Sequence, residues 1–268
     1  MVVFPFTPET KADPYEHTLV LKNSLLHLGI WDSEFTAGQL VEQMDAAGVE
    51  KVLLCAQAGG SWEVSYDYIR QMMNDGPDRI LGTAGIDPRD VAAGVRKLEQ
   101  AVREWGFVGA HSYPHWFRLS PADRVYYPFY WKCIELDVPV QIQVGMAYQA
   151  GLRNVGHPSA IDTIAVDLPE LRMVCIHTGY PWEREMIAVA WKHPNVFIGA
   201  DLLHPRDWSP ELLAFIRGEG REKTMWGTNK PVLEFQDSLD GVNALGLDAD
   251  TKELLLHGNV RRVYRLPD

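Results

Sequence analysis

Apolar residues along the chain follow two alternating rhythms. Short runs such as KVLLCA (51–56), VPVQIQVG (138–145), LRMVCIHTG (171–179) and NVFIGADL (195–202) are dense in Val, Ile and Leu. They exceed strict alternation, as parallel strands covered on both faces do. Between such runs, apolar residues recur three and four apart. Examples are TAGQLVEQMDAAGV (36–49), WEVSYDYIRQMMND (62–75), VAAGVRKLEQAVREWG (91–106), PSAIDTIAVDLP (158–169), PWEREMIAVAWKHP (181–194) and SPELLAFIRGEG (209–220). That spacing lays one apolar stripe along a helix. Thr36 is placed to cap the first of these helices and Gly48 to close it. Pro181 suits a first helical position. MVVFPF (1–6), RILGTAGID (79–87), FVGAHSYP (107–114) and EKTMWGTN (222–229) read as further strands. PADRVYYPFYWKCIELD (121–137) reads as a helix with a bend near Pro128, and a helical region closes the chain.

Eight strand–helix units in 268 residues predict a (β/α)8 TIM barrel, an α/β fold with one domain over residues 1–268. A doubly wound open sheet is the alternative. It is the weaker reading, because no Gly-rich phosphate loop follows the first strand.

Composition narrows the function. A formal net charge of −11, with Lys and Arg scattered, predicts no nucleic-acid and no membrane-surface partner. No apolar run approaches the roughly 20 residues that cross a bilayer. The opening MVVFPFTPETKADP lacks a basic n-region and a long apolar h-region, so a cytoplasmic location is expected. The three cysteines, Cys55, Cys133 and Cys175, sit in apolar sequence without CxxC spacing and read as buried free thiols.

Barrel chemistry sits at the C-terminal ends of strands, which sorts the histidines. In VCIHTGYPW (174–182) an apolar run stops at His177, a Thr-Gly pair turns the chain, and Pro-Trp opens a helix. His111 ends the fourth strand, with Tyr113 and His115 just beyond it. Asp201 ends the seventh, and His204 follows a few residues later. Gln57, Asp87, Gln143 and Asn229 stand at other strand ends. Asp87 is equally readable as a helix cap. His157 falls in the loop after the fifth strand, and His193 is expected as a helix C-cap partner. Arg118, in the aromatic loop YPHWFRL, is the nearest cation for a substrate carboxylate. Trp182 and the loop aromatics suit a flat ligand, although aromatics also plug barrel ends. A lone histidine is more often a structural imidazole; several sharing one rim point the other way.

QMDAAGVEKVLL, GFVGAHSYP, VPVQIQVG, CIHTGYPWEREMIAVAWKHPNVFIGA and KTMWGTNKPV together resemble the amidohydrolase-related family, which includes aminocarboxymuconate-semialdehyde decarboxylase and related aromatic-acid decarboxylases. The resemblance implies a barrel, homo-oligomers such as a homodimer, and a divalent metal, usually zinc. Its ligands in the family are an HxH pair ending strand one, a histidine ending strand five and an aspartate after strand eight, with an assisting histidine ending strand six. Here those positions fall on Val2 and Phe4, Gln143, and Asn229; the assisting histidine falls on His177. Valine and phenylalanine offer no lone pair, and amides are weak donors to zinc.

The expectation is an enzyme without a cofactor that hydrolyses or decarboxylates a small cyclic or carboxylated, aromatic-like compound. His177 would be the general acid/base, with Asp201 orienting it or acting itself. His111, Tyr113, Arg118, Gln143, Trp182, His204 and Asn229 would bind substrate. The alternatives are a metal-dependent hydrolase or decarboxylase using His111, His177, Asp201 and His204, and a catalytically inactive binding barrel.

Overall fold

The structure is a computed structural model, which describes residues 2–3, 36–59, 63–147, 152–230 and 232–267. Eight parallel strands lie side by side in chain order. They are β1 (Val2–Val3), β2 (Val52–Cys55), β3 (Ile80–Gly85), β4 (Gly109–Ser112), β5 (Val140–Gln143), β6 (Met173–Ile176), β7 (Val196–Ala200) and β8 (Thr224–Trp226). The helices between and after them are α1 (Ala37–Ala47), α2 (Tyr66–Asp75), α3 (Val91–Trp105), α4 (Pro114–Phe117), α5 (Tyr127–Glu135), α6 (Pro158–Asp167), α7 (Glu183–Lys192), α8 (Pro210–Arg217), α9 (Phe235–Ala244), α10 (Ala249–Glu253) and α11 (Asn259–Tyr264). This is the βα order of a TIM barrel.

Period-two alternation sorts the strand residues into two cores. Leu53, Cys55, Val174, Ile176, Phe197 and Met225 cluster with Val263 and Tyr264 of α11 inside the curled sheet. Their chain neighbours Val52, Leu54, Cys175 and Ile198 join the larger core between sheet and helices. Every residue of β2 and β5–β8 is buried, which is why these strands read as continuous apolar runs. Each fully buried aliphatic side chain contributes about 1.5–3 kcal/mol.

Local signals hold where the physics is local. Thr36 caps α1 in a capping box with Gln39, and Gly48 closes it at φ 69°. Three boundaries differ from expectation. The helix predicted over 62–75 starts only at Tyr66, because Gln57 and Val64 pair as a bridge and Ser65 caps the helix. Pro128 lies in the first turn of α5, where its missing N–H costs no bond, and a 3-10 turn over Arg124–Tyr126 precedes the helix. Pro181 follows a cis peptide bond, and Trp182, not Pro181, leads into α7. The strand predicted over 1–6 contributes Val2 and Val3, paired with Leu53 and Leu54; residues 4–6 lie outside the described residues.

Candidate active site

The strands β6, β7 and β8 end in unusual backbone. His177 and Thr178 have φ of 71° and 56°, Leu202 has 68° and Asn229 has 51°. Left-handed non-glycine residues cost about 1–3 kcal/mol and collect at functional sites, and a β-branched Thr there is a true outlier. The effect at His177 is directional. Instead of continuing the alternation of β6, its imidazole meets Asp201 at the end of β7.

Oδ1 of Asp201 accepts the His177 backbone N–H at 2.6 Å and lies 3.1 Å from Nδ1. Both side chains are buried. A carboxylate oxygen in that position accepts, so Nδ1 carries the ring proton and Nε2 holds the lone pair. Gly227 makes the approach of β8 possible: a Cβ there would stand 2.8 Å from Cβ of Asp201. Thr178 Oγ1 holds the turn through the His177 carbonyl at 2.7 Å and Glu183 Oε1 at 2.9 Å.

At or just beyond the C-terminal ends of the strands stand buried polar atoms without hydrogen-bond partners. They include Oδ2 of Asp201, Oε1 and Nε2 of Gln143, Oδ1 of Asn229, Oε1 of Gln57 and Nδ1 of His115. An unsatisfied buried polar group costs about 1–3 kcal/mol, so a concentration of them at one end of a barrel suits a ligand site. His111 lies buried on β4, its Nδ1 3.3 Å from Oε1 of Gln141. Burial pushes its pKa down to about 4, and the neighbouring His177 also opposes a second charge. His115 is likewise pushed down to about 4 by burial, with Nε2 donating to the Gly145 carbonyl at 3.1 Å. Tyr113 is buried and packs against the rings of His115 and Trp116 at 5.6 and 5.3 Å.

Other expected site residues are placed differently. His204 caps a 3-10 turn through Nδ1, which accepts from Arg206 N, and its Nε2 donates to the Asp237 carbonyl at 3.2 Å; both ring nitrogens serve structure. His157 caps α6 and packs its ring 5.0 Å from Trp182. Arg118 is exposed at the end of α4. Asp87 caps a 3-10 turn, and the guanidinium of Arg89 holds its carboxyl below the usual range. His193 is the C-cap of α7, its backbone N–H donating to the Val189 carbonyl, and its Nε2 donates to Asp162 at 2.7 Å. Gln141 and Tyr264 were not singled out from sequence. Gln141 had a usable signal, since it lies two residues before Gln143 and shares its face; Tyr264 had none.

The amidohydrolase profile matches residues 35–266. The chain belongs to the amidohydrolase family. A curated member, 2-keto-4-carboxy-3-hexenedioate hydratase from Sphingobium sp., is 25% identical over 218 residues, covering 65% of this chain and 62% of that protein. An uncharacterised TIM-barrel protein from Bordetella bronchiseptica superposes with a TM-score of 0.80 at 20% identity, covering 99% of this chain and 98% of the other. 5-Carboxyvanillate decarboxylase from Novosphingobium aromaticivorans gives 0.70 at 16% identity, covering 96% and 86%; its structure holds manganese and 4-hydroxy-3-methoxy-5-nitrobenzoic acid.

The described mouth of this chain is a poor fit for such a cation. Among the described residues no three His, Cys, Asp or Glu side chains are placed to hold a metal ion. That includes the set of His111, His177, Asp201 and His204. Gln143 and Asn229 offer neutral amides, which bind divalent metals weakly. Of the first-strand pair, Phe4 lies outside the described residues. Among the described residues, no helix is long and apolar enough to cross a membrane.

Proposed function

We propose that this amidohydrolase-family protein is a metal-independent enzyme that hydrolyses, hydrates or decarboxylates a small carboxylated, ring-shaped or conjugated compound. The observation that carries the reading is the buried His177–Asp201 pair, at the same end of the strands as the unpartnered side-chain atoms of Gln143 and Asn229. These reactions share one requirement, a proton moved to or from the reacting centre. In hydrolysis or hydration Nε2 would take it from water; in decarboxylation the ring, first protonated on Nε2 from solvent or a substrate hydroxyl, would deliver it to the carbon that keeps the electron pair as CO2 leaves. Asp201 holds the ring in the useful tautomer and stabilises the imidazolium as it forms. Gln143 and Asn229 would hydrogen-bond the carbonyl or carboxylate; a donor aimed at developing charge contributes about 3–4 kcal/mol. The hydratase and the decarboxylase among the similar proteins support the choice of carboxylated substrates.

The test is turnover on a panel containing 2-keto-4-carboxy-3-hexenedioate, hydroxylated aromatic acids and lactones. Enzyme dialysed against chelator should keep its rate, and His177→Ala should lose about 10²–10⁴-fold. A rate that requires stoichiometric manganese or zinc would favour a rearranged metal site. Thermal shifts without turnover would favour a binding barrel. Unchanged turnover in His177→Ala would remove the assigned base.

A further inference from the structure

The second imidazole of the mouth is held from below. Oε1 of Gln141 lies 3.3 Å from Nδ1 of His111 and 3.2 Å from Sγ of Cys55. Nε2 of the same amide donates to the Tyr264 hydroxyl at 2.6 Å. Gln141 and Tyr264 are both buried, and Tyr264 reaches the barrel interior from α11. Gly109 gives the ring its space, since a Cβ there would stand 3.1 Å from Cε1 of Tyr264.

We infer that Tyr264 and Gln141 are positioning residues that lock His111 as its Nδ1–H tautomer, leaving the ring lone pair on Nε2. The amide can turn either face to His111, and its neighbours choose. Burial pushes the Cys55 thiol up to about 12, so it remains an S–H donor and calls for the amide oxygen on its side. Tyr264 takes the amide N–H on the other side. With Oε1 facing His111, Nδ1 must bring the proton. The mouth then contains two imidazoles protonated on Nδ1 but held by different partners. His177 is held by a carboxylate, whose full negative charge favours a positive ring; His111 is held by a neutral amide, whose weaker pull is outweighed by burial. Proton transfer therefore belongs to His177, and His111 accepts a hydrogen bond while staying neutral. Tyr264 and Asp201 also line a common cavity of about 20 Å³, room for a single water between the two supports.

This division of labour rests on the proposed catalytic reading, but the tautomer does not, and the two can fail separately. The full chain, labelled with ¹⁵N only in histidine, is measured by long-range ¹H–¹⁵N correlation near pH 7.5, and His111→Gln assigns the signal. His111 should show a protonated Nδ1 and an unprotonated Nε2. Tyr264→Phe, which removes one hydroxyl, should give a mixture of tautomers as the amide turns. Gln141→Leu should shift His111 further toward Nε2–H, while His177 keeps its tautomer in both variants. A wild-type His111 protonated on Nε2 would overturn the inference. So would an unchanged Nδ1–H signal in either folded variant.

Discussion

Acidification should expose the two imidazoles whose pKa values burial lowers. His111 and His115 have folded-state pKa values near 4, against about 6.5 in an unfolded chain. Both are depressed, so the unfolded state binds protons more readily and stability falls as pH drops through this interval. Above about pH 6.5 neither group contributes. At pH 5 an unfolded-state histidine is almost fully charged and the folded one almost fully neutral, which costs about 2 kcal/mol for each ring. The physical cause is local. Burial is the larger cause at both rings: charging His115 would put a proton on Nδ1, a buried atom with no partner, and charging His111 would bury a cation beside His177. The two rings together should therefore remove about 4 kcal/mol between pH 7 and 5, a large share of a typical 5–15 kcal/mol stability. Urea unfolding at both pH values measures the loss. Replacing either histidine by Gln should lower stability at pH 7 yet halve the acid-induced loss, and the double variant should abolish most of it. Loss of equal size in the double variant would refute the argument.

Asp201→Asn should leave the fold nearly intact but lower turnover by on the order of 10³–10⁴-fold, because an amide can present its N–H to Nδ1 and reverse the tautomer; steady-state kinetics on an identified substrate checks it. Gly145→Ala should be strongly destabilising, visible as a lowered Tm or insoluble protein. Its φ is 87° and the added Cβ would collide with the Tyr180 carbonyl oxygen. Thr36→Ala should cost about 1 kcal/mol in urea unfolding through loss of the α1 capping box, with no change in activity. Purification without chelators followed by elemental analysis should find no stoichiometric transition metal.

Much of the architecture was legible because its causes are local. The burial of β5 and β6 on both faces wrote itself as VPVQIQV and LRMVCI, and the start and stop of α1 followed from Thr36 and Gly48. The Pro181 error has a local origin: it satisfies a helix start by itself, yet the chain reaches α7 only after Trp182. The site was half legible. His177, Asp201, Gln143 and Asn229 could be placed at strand ends by counting, but His204 satisfied the same count and serves a turn.

By itself, the order of residues determined the succession of strands and helices, the two faces of each strand and the end of the barrel where polar groups gather. Only the tertiary packing decided which groups meet. His177 and Asp201 are 24 positions apart, and Gln141 and Tyr264 are 123 apart. The reason is that periodicity acts over a few residues, whereas a hydrogen bond across a barrel depends on the register of neighbouring strands and on a helix that returns at the end of the chain.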